Sequence, residues 1–433
     1  MRDARKLKRW FGVGFVTLAF VLTGHRLALT QPGPNRLKFA HTFTTDSERA
    51  ILDAAVAEFE RGHPGVKIEQ IISNSEVYNT VGWRLQFQGR NQPDLYFHWQ
   101  GFKVEYCLER GWAMDLTPHL APGFLEQFVP SAIQKQNGAL YFLPQSIDIS
   151  NLVWYDRDRF ARLHLHEPGT LREWLRLCAQ LRQNGILPLA QGNRDLWPMG
   201  NFAAELLGQS LGVEKSGRLF QPHRPINPEY LGRLQTLIEM RDLGCFDLSG
   251  VLERGAIGGL GDIDAKVLFL SGRSAQHILG SWFLADVQDA RNKDELKFSI
   301  GLFPVPPGDG ETDALTAVTT GFLVNPTTRN PKAAVEFLEL LLSRKYQSEF
   351  AKLGNLSARR DAVEFTSDPL AKRMLELLAT TPVIVPPPDT GYRPEQAAVF
   401  YEMCGKLLTG RLGLPHAAEY WAKEKKNLAR KGL

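Results

Sequence analysis

The chain has 433 residues, 43% of them hydrophobic and 23% charged, with a formal charge of +4. That length points to about two domains, and the ordinary composition excludes a disordered, collagen-like or coiled-coil chain. Residues 1–30 alone carry a net +5, so the rest sums to −1, which excludes a general nucleic-acid binder.

The first segment accounts for that excess. RDARKLKRW precedes FGVGFVTLAFVLTG, the basic and apolar regions of an export signal. The apolar run is shorter than the about 20 residues of a spanning helix. The small-residue cleavage pattern is weak around Gly24-His25-Arg26, so removal and retention as an anchor both stay open. No Cys follows the run before Cys107, which argues against a lipid anchor. Cys107, Cys178, Cys245 and Cys404 form no C-x-x-C; they read mostly as buried thiols, with room for one bridge.

After a linker at 31–36, LKFAHTF reads as a strand. Thr45-Asp46-Ser47-Glu48 has the capping-box form, and Ile51, Ala54, Ala55 and Phe59 follow at helical spacing until Gly62 and Pro64. VKIEQII is the next strand, Tyr78 to Gln88 a helix, PDLYFHW a strand and Val104 to Arg110 a helix. Strand–helix–strand is the unit of a parallel sheet. Ala139 to Pro144 and Leu152 to Tyr155 are strand-like around a polar segment, QSIDISN. Leu171 to Gln183 is an amphipathic helix, and the chain to about 297 reads as mainly helical. KFSIGLFPVP and ALTAVTTGFLVN return to strand character. Ala333 to Leu342 is helical, as is most of 346–433 around PVIVPPPDTGYRP. The late strands are expected to rejoin the early sheet, which leaves a cleft between two lobes.

Catalytic signatures are missing: there is no H-E-x-x-H, G-x-S-x-G or P-loop. Gly258-Gly259-Leu260-Gly261 reads as a loop, and His164, His166 and Glu167 beside Pro168 as a turn and not a metal site.

The motifs occur in a recognisable order. HTFTTDSERAILDAAVAEFERGHPGVKIE, GRNQPDLYFHWQ, LYFLPQSIDISNLVWYDRDRFARL, FLSGRSAQHILGSW, FSIGLFPVPPGD and TGFLVN resemble successive segments of the bacterial extracellular solute-binding proteins of ABC importers, in the sugar-binding group that includes maltose-binding protein. The likeness covers about 37–425. It implies an α/β, two-lobe periplasmic-binding-protein fold of the type II, Venus-flytrap kind. The expected lobes are 37–146 plus 298–345, and 147–297 plus 346–433. It further implies an exported, monomeric, non-catalytic protein without cofactor or metal, held in the periplasm or at the outer face of the cytoplasmic membrane. Such a protein captures a mono- or oligosaccharide and delivers it to ABC permease subunits. A glycan-active enzyme and a ligand-sensing ectodomain are the alternatives.

A sugar presents an apolar face to an aromatic ring and hydroxyls to polar groups. Trp282 comes first, since Gly280 and Ser281 leave room beside it and the resemblance puts the matching Trp in the cleft. Trp197 is second, with Asp195 beside it. Strand ends in open α/β sheets face ligands, which adds Thr42 and Phe43, Asn74 and Ser75, and His98, Trp99 and Gln100. Alternation along a strand sends one of His98 and Trp99 to the cleft and the other to the core. Asp148 on the crossing segment, Thr320-Gly321 with its close backbone approach, Arg359 and Tyr392 complete the set.

Overall fold

The computed structural model describes residues 35–78, 82–89, 92–221, 227–248 and 259–430. Residues 1–30, on which the export reading falls, most of the linker and Gly258 lie outside the described residues. The strands are β1 (Asn35–His41), β2 (Val66–Ile72), β3 (Leu95–Trp99), a small hairpin of β4 (Lys135–Gln136) and β5 (Ala139–Leu140), β6 (Leu143–Ile149), β7 (Leu152–Asp156), β8 (Leu187–Ala190), β9 (Ser274–Leu279), β10 (Ile300–Pro304), β11 (Ala314–Val324) and β12 (Val383–Val385).

They build two principal sheets. The first runs β12-β11-β3-β1-β2, with β6 paired to β11; the second runs β10-β7-β9-β8. In the first, β1 is parallel to both β2 and β3. Helices cover both faces, so Leu95, Tyr96, Phe97 and His98 of β3 are all buried. The helix Asp46–Gly62 crosses from β1 to β2 and begins as the capping box requires: Thr45 Oγ1 accepts from Glu48 N at 3.2 Å, and the Glu48 carboxylate accepts from Thr45 N at 3.2 Å. Its buried face is Leu52, Ala55 and Phe59, whereas Ala54 is exposed. Thr45→Ala is expected to cost about 1 kcal/mol in a urea titration, because one N-terminal amide loses its acceptor.

Three expectations are corrected. The polar segment QSIDISN is largely strand β6, because pairing with β11 satisfies its backbone. The stretch to 297 contains β8 and β9, which pair in parallel in the second sheet. The late strands also part company: β11 rejoins the first sheet beside β3, but β10 pairs antiparallel with β7 in the second. Residues 300–304 therefore go with the second lobe. The helix Arg344–Lys352 conversely packs on the first, where the Tyr346 hydroxyl donates to Ala54 O at 3.2 Å. Within 78–88 the described helix is Trp83–Gln88.

Each sheet has its own core: Phe39, Phe59, Phe322 and Phe337 sit in the first; Trp174, Phe202, Phe400 and Trp421 sit on one side of the second, and Trp154, Phe269 and Phe283 on the other. All four cysteines are buried free thiols, so the expected room for a bridge is not used. Among the described residues three segments link the lobes: Ser150-Asn151 between β6 and β7, the chain between β10 and β11, and the chain that leaves the helix Arg344–Lys352 of the first lobe and returns to the second core at Phe400 and Trp421.

Candidate functional site

The carboxyl ends of parallel strands from both sheets point into one gap. From the first sheet, β1 leads to Thr42, β2 to Asn74 and Ser75, and β3 to Trp99 and Gln100. From the second, β8 leads to Asp195 and Trp197, and β9 to Gly280–Trp282. Strand ends are where backbone groups run out of partners and loops diverge, which is why ligands settle there. The two sides meet where Ser47 Oγ lies 3.4 Å from Asp289 Oδ1, the latter on the helix Phe283–Asn292 that follows Trp282.

Trp197 and Trp282 are half-buried neighbours, ring centroids 6.0 Å apart and tilted by 45°. The buried Trp197 Nε1 has no hydrogen-bond partner. Gly280 shapes the pair: a Cβ there would lie 2.1 Å from the Trp282 ring and 2.5 Å from Ile149 O. The absent side chain thus lets the indole fold back over the strand end. Ser281 ties this loop to β6, its N donating to Ile149 O at 2.8 Å and its Oγ accepting from Ile149 N at 3.2 Å. Ser281 is therefore buried, with its hydroxyl and amide both engaged by Ile149.

The alternation on β3 is resolved. His98 is fully buried against Trp83 and Tyr96. Burial, with Lys103 and Arg84 nearby, holds its imidazole well below the ordinary range and neutral. Trp99 is the half-exposed residue at the gap, with Lys103 Nζ 4.3 Å from its ring centre.

Several expected residues are engaged elsewhere. Phe43 packs in the first core against Phe97 and Phe350. Arg359 is buried and pairs with Asp361 at 2.8 Å, while Nη1 donates to Gln127 Oε1 and Leu342 O. Tyr392 stacks flat on Phe220, centroids 3.9 Å apart. The close approach at Gly321 is to Leu143 O, 2.0 Å from where a Cβ would lie, and so serves strand pairing. Thr320 is buried with its hydroxyl 2.7 Å from Ser146 Oγ. Asp195 is exposed, and its Oδ2 accepts from Asp262 N at 2.6 Å.

Carboxylates join the aromatic rings. Asp148 accepts from Ser146 Oγ at 2.9 Å, yet burial, aided by the charge of Glu48, pushes its pKa up to about 6. Burial likewise raises Glu48, aided by Asp286. Asp262 is raised by burial against the pull of Lys266. Lys266 Nζ lies 3.5 Å from Asp262 and 3.3 Å from Asp286; burial opposes its charge, but the two carboxylates prevail and its pKa rises. Glu48, Asp262, Lys266 and Asp286 escape a motif reading. Glu48 looks like a cap alone, and Asp262 and Lys266 look like a surface pair four residues apart on a helix.

Two other concavities, of about 320 and 390 Å³, lie in the second lobe around Arg162 and Arg273 and around His164 to Glu167. Neither contains the strand ends or the tryptophans.

The fold matches a known architecture. The chain belongs to the bacterial extracellular solute-binding protein family, whose profile matches residues 44–348. An uncharacterised ABC transporter extracellular-binding protein of Pyrococcus horikoshii is 22% identical over 357 residues, covering 80% of this chain and 76% of that protein. Among solved structures, a chitin oligosaccharide binding protein superposes with a TM-score of 0.80 at 20% identity, covering 90% of this chain and 98% of the other. A maltose/maltodextrin-binding domain from Bdellovibrio bacteriovorus bound to maltotriose gives a TM-score of 0.71 at 20% identity, over 91% and 100%. The architecture is thus the two-lobe α/β fold of periplasmic solute-binding proteins. No helix among the described residues is long and apolar enough to cross a membrane.

Proposed function

We propose that this chain is the substrate-binding component of an ABC importer, which captures a carbohydrate by lobe closure and hands it to a membrane permease. The carrying observation is the half-buried Trp197–Trp282 pair at the carboxyl ends of β8 and β9, with a third half-buried tryptophan, Trp99, at the carboxyl end of β3 in the other lobe. Aromatic faces cover the C–H side of a sugar ring, and Asp148 accepts from its hydroxyls. The names of the relatives support the same reading: the Pyrococcus protein is an ABC transporter component, and the two structural neighbours bind oligosaccharides. Binding energy here stabilises the closed arrangement of the lobes and makes or breaks no bond. The protein acts as an exported monomer, with residues 1–30 serving as signal or anchor.

A thermal-shift screen of mono- and oligosaccharides tests this. At least one sugar is expected to raise the melting temperature without being turned over. A ligand at 100 times its Kd stabilises by about 2.7 kcal/mol. Trp282→Ala is expected to lose most of the shift. Stabilisation by another solute class alone overturns the carbohydrate reading, and an unchanged shift in Trp282→Ala removes the indole from the site.

A further inference from the structure

The cleft is acidic, and its acids come from both lobes. Glu48 follows β1, Asp148 lies on β6 at the crossing, and Asp195, Asp262, Asp286 and Asp289 belong to the second lobe. They sense one another: the charge of Glu48 acts on Asp148, that of Asp286 on Glu48 and Asp262, and that of Asp195 on Asp262. Facing these carboxyls is Lys266, already shared between Asp262 and Asp286. At the flanks, Arg194 pairs with Asp264 at 2.8 Å and Arg291 with Asp368 at 3.5 Å. Closing the lobes therefore presses like charges together, Glu48 against Asp286 above all. A neutral solute leaves that repulsion in place and an anionic one adds to it. A cation between the lobes removes it.

A separate observation concerns Asp262, whose Oδ2 alone has a cation beside it, Lys266 Nζ at 3.5 Å. Asp262 is nine-tenths buried, and its Oδ1 has no hydrogen-bond partner. Buried carboxylate oxygens rarely stay so unless something else supplies the proton. The adjacent indoles of Trp197 and Trp282 present π faces, which favour a cation as well as a sugar ring. The acids are strung along the gap, and the described residues contain no cluster of three or more His, Cys, Asp or Glu that could hold a metal ion. That spacing suits an ammonium carried on a ring better than a divalent ion.

We propose that the captured saccharide bears a basic amine, whose ammonium seats between Glu48 of the first lobe and Asp262 and Asp286 of the second. This rests on the carbohydrate reading and adds the charge class of the ligand. Isothermal titration of the full chain tests it with matched probes: glucose, galactose and mannose, each beside its 2-amino, 2-acetamido and uronic acid forms, and cello-, chitosan and chitin oligosaccharides. The amine form is expected to bind at least ten-fold more tightly than its hydroxyl and acetamido counterparts, with affinity falling as salt rises, and the uronic acids not at all. Glu48→Gln and Asp286→Asn are each expected to weaken the amine form about ten-fold while leaving its neutral counterpart unchanged. Equal or tighter binding of neutral or acetylated sugars overturns the amine assignment and leaves the carbohydrate reading standing. Equal loss of both forms in the two variants also overturns it. If no saccharide of any class binds, the carbohydrate reading fails and the amine falls with it.

Discussion

Glu205→Gln is expected to melt several degrees above the wild type at pH 8 and within about a degree of it near pH 4.5. Glu205 lies on the helix Trp197–Arg218 and is fully buried. Its Oε2 accepts from Asn151 Nδ2 at 3.0 Å and from Thr316 N at 2.9 Å, while Oε1 has no partner. Asn151 belongs to the β6–β7 link and Thr316 to the start of β11, and Ser150 N donates to Thr316 O at 2.7 Å. Burial raises the carboxyl from its ordinary 4.5 to about 8, outweighing both hydrogen bonds. The unfolded chain releases this proton from about pH 4.5 upward, whereas the folded chain holds it until about 8. The contribution to stability is therefore fully present below 4.5 and is lost as pH rises through 8, by at most about 1.4 kcal/mol per pH unit. An amide keeps the accepting oxygen and does not titrate. Melting curves of both proteins from pH 4.5 to 8 decide the matter; parallel curves would mean that Glu205 is ionised in the fold throughout. Glu205→Leu is expected to lose stability at every pH, because Asn151 Nδ2 and Thr316 N lose their acceptor, at about 1–3 kcal/mol each.

Gly321→Ala is expected to cost about 3 kcal/mol in a denaturant titration. The added Cβ would lie 2.0 Å from Leu143 O and 2.8 Å from the Phe142 ring, inside the β6–β11 pairing. The carbonyl cannot step aside as a flexible side chain would, and the register of the two strands already shifts between Thr320 and Gly321. The repair has to move β6, which carries Ser146 and Asp148. Affinity for the solute is therefore expected to fall along with stability. A cost below about 1 kcal/mol would show that the bulge absorbs the methyl group.

Much of the first lobe is legible locally. The capping box at Thr45 announces its helix because the hydrogen bonds that make it span three residues. PDLYFHW reads as a strand because an unbroken apolar run suits a strand covered on both faces. The second lobe is harder to read. SAQHIL has Gln and His at buried positions, and its strand character depends on β7 and β8 lying on either side. QSIDI is polar yet a strand because its partners are distant in the chain: β11 along one edge and residues 356–358 along the other. The placement of β10 was equally unreadable, since an apolar strand carries no mark of which sheet will take it.

The aromatic half of the candidate site was readable and the acidic half was not. Trp197, Trp282 and Trp99 stand at strand ends, and loops after strands are visible in a pattern of residues. Which of two neighbours faces inward, as with His98 and Trp99, depends on which helices cover each face. Arg359 and Tyr392 looked available because partners that bury them, Gln127 and Phe220, are distant in the chain. Sequence alone pointed to the family and to the strands and capped helix that open the first lobe, because these follow from short-range patterns. Tertiary structure alone brought Asp262 and Asp286 to Lys266, Glu48 within reach of the charge of Asp286, and Asp148 within reach of that of Glu48. Charge interactions act through space, and residues up to 238 positions apart become neighbours only when two sheets turn their strand ends toward each other.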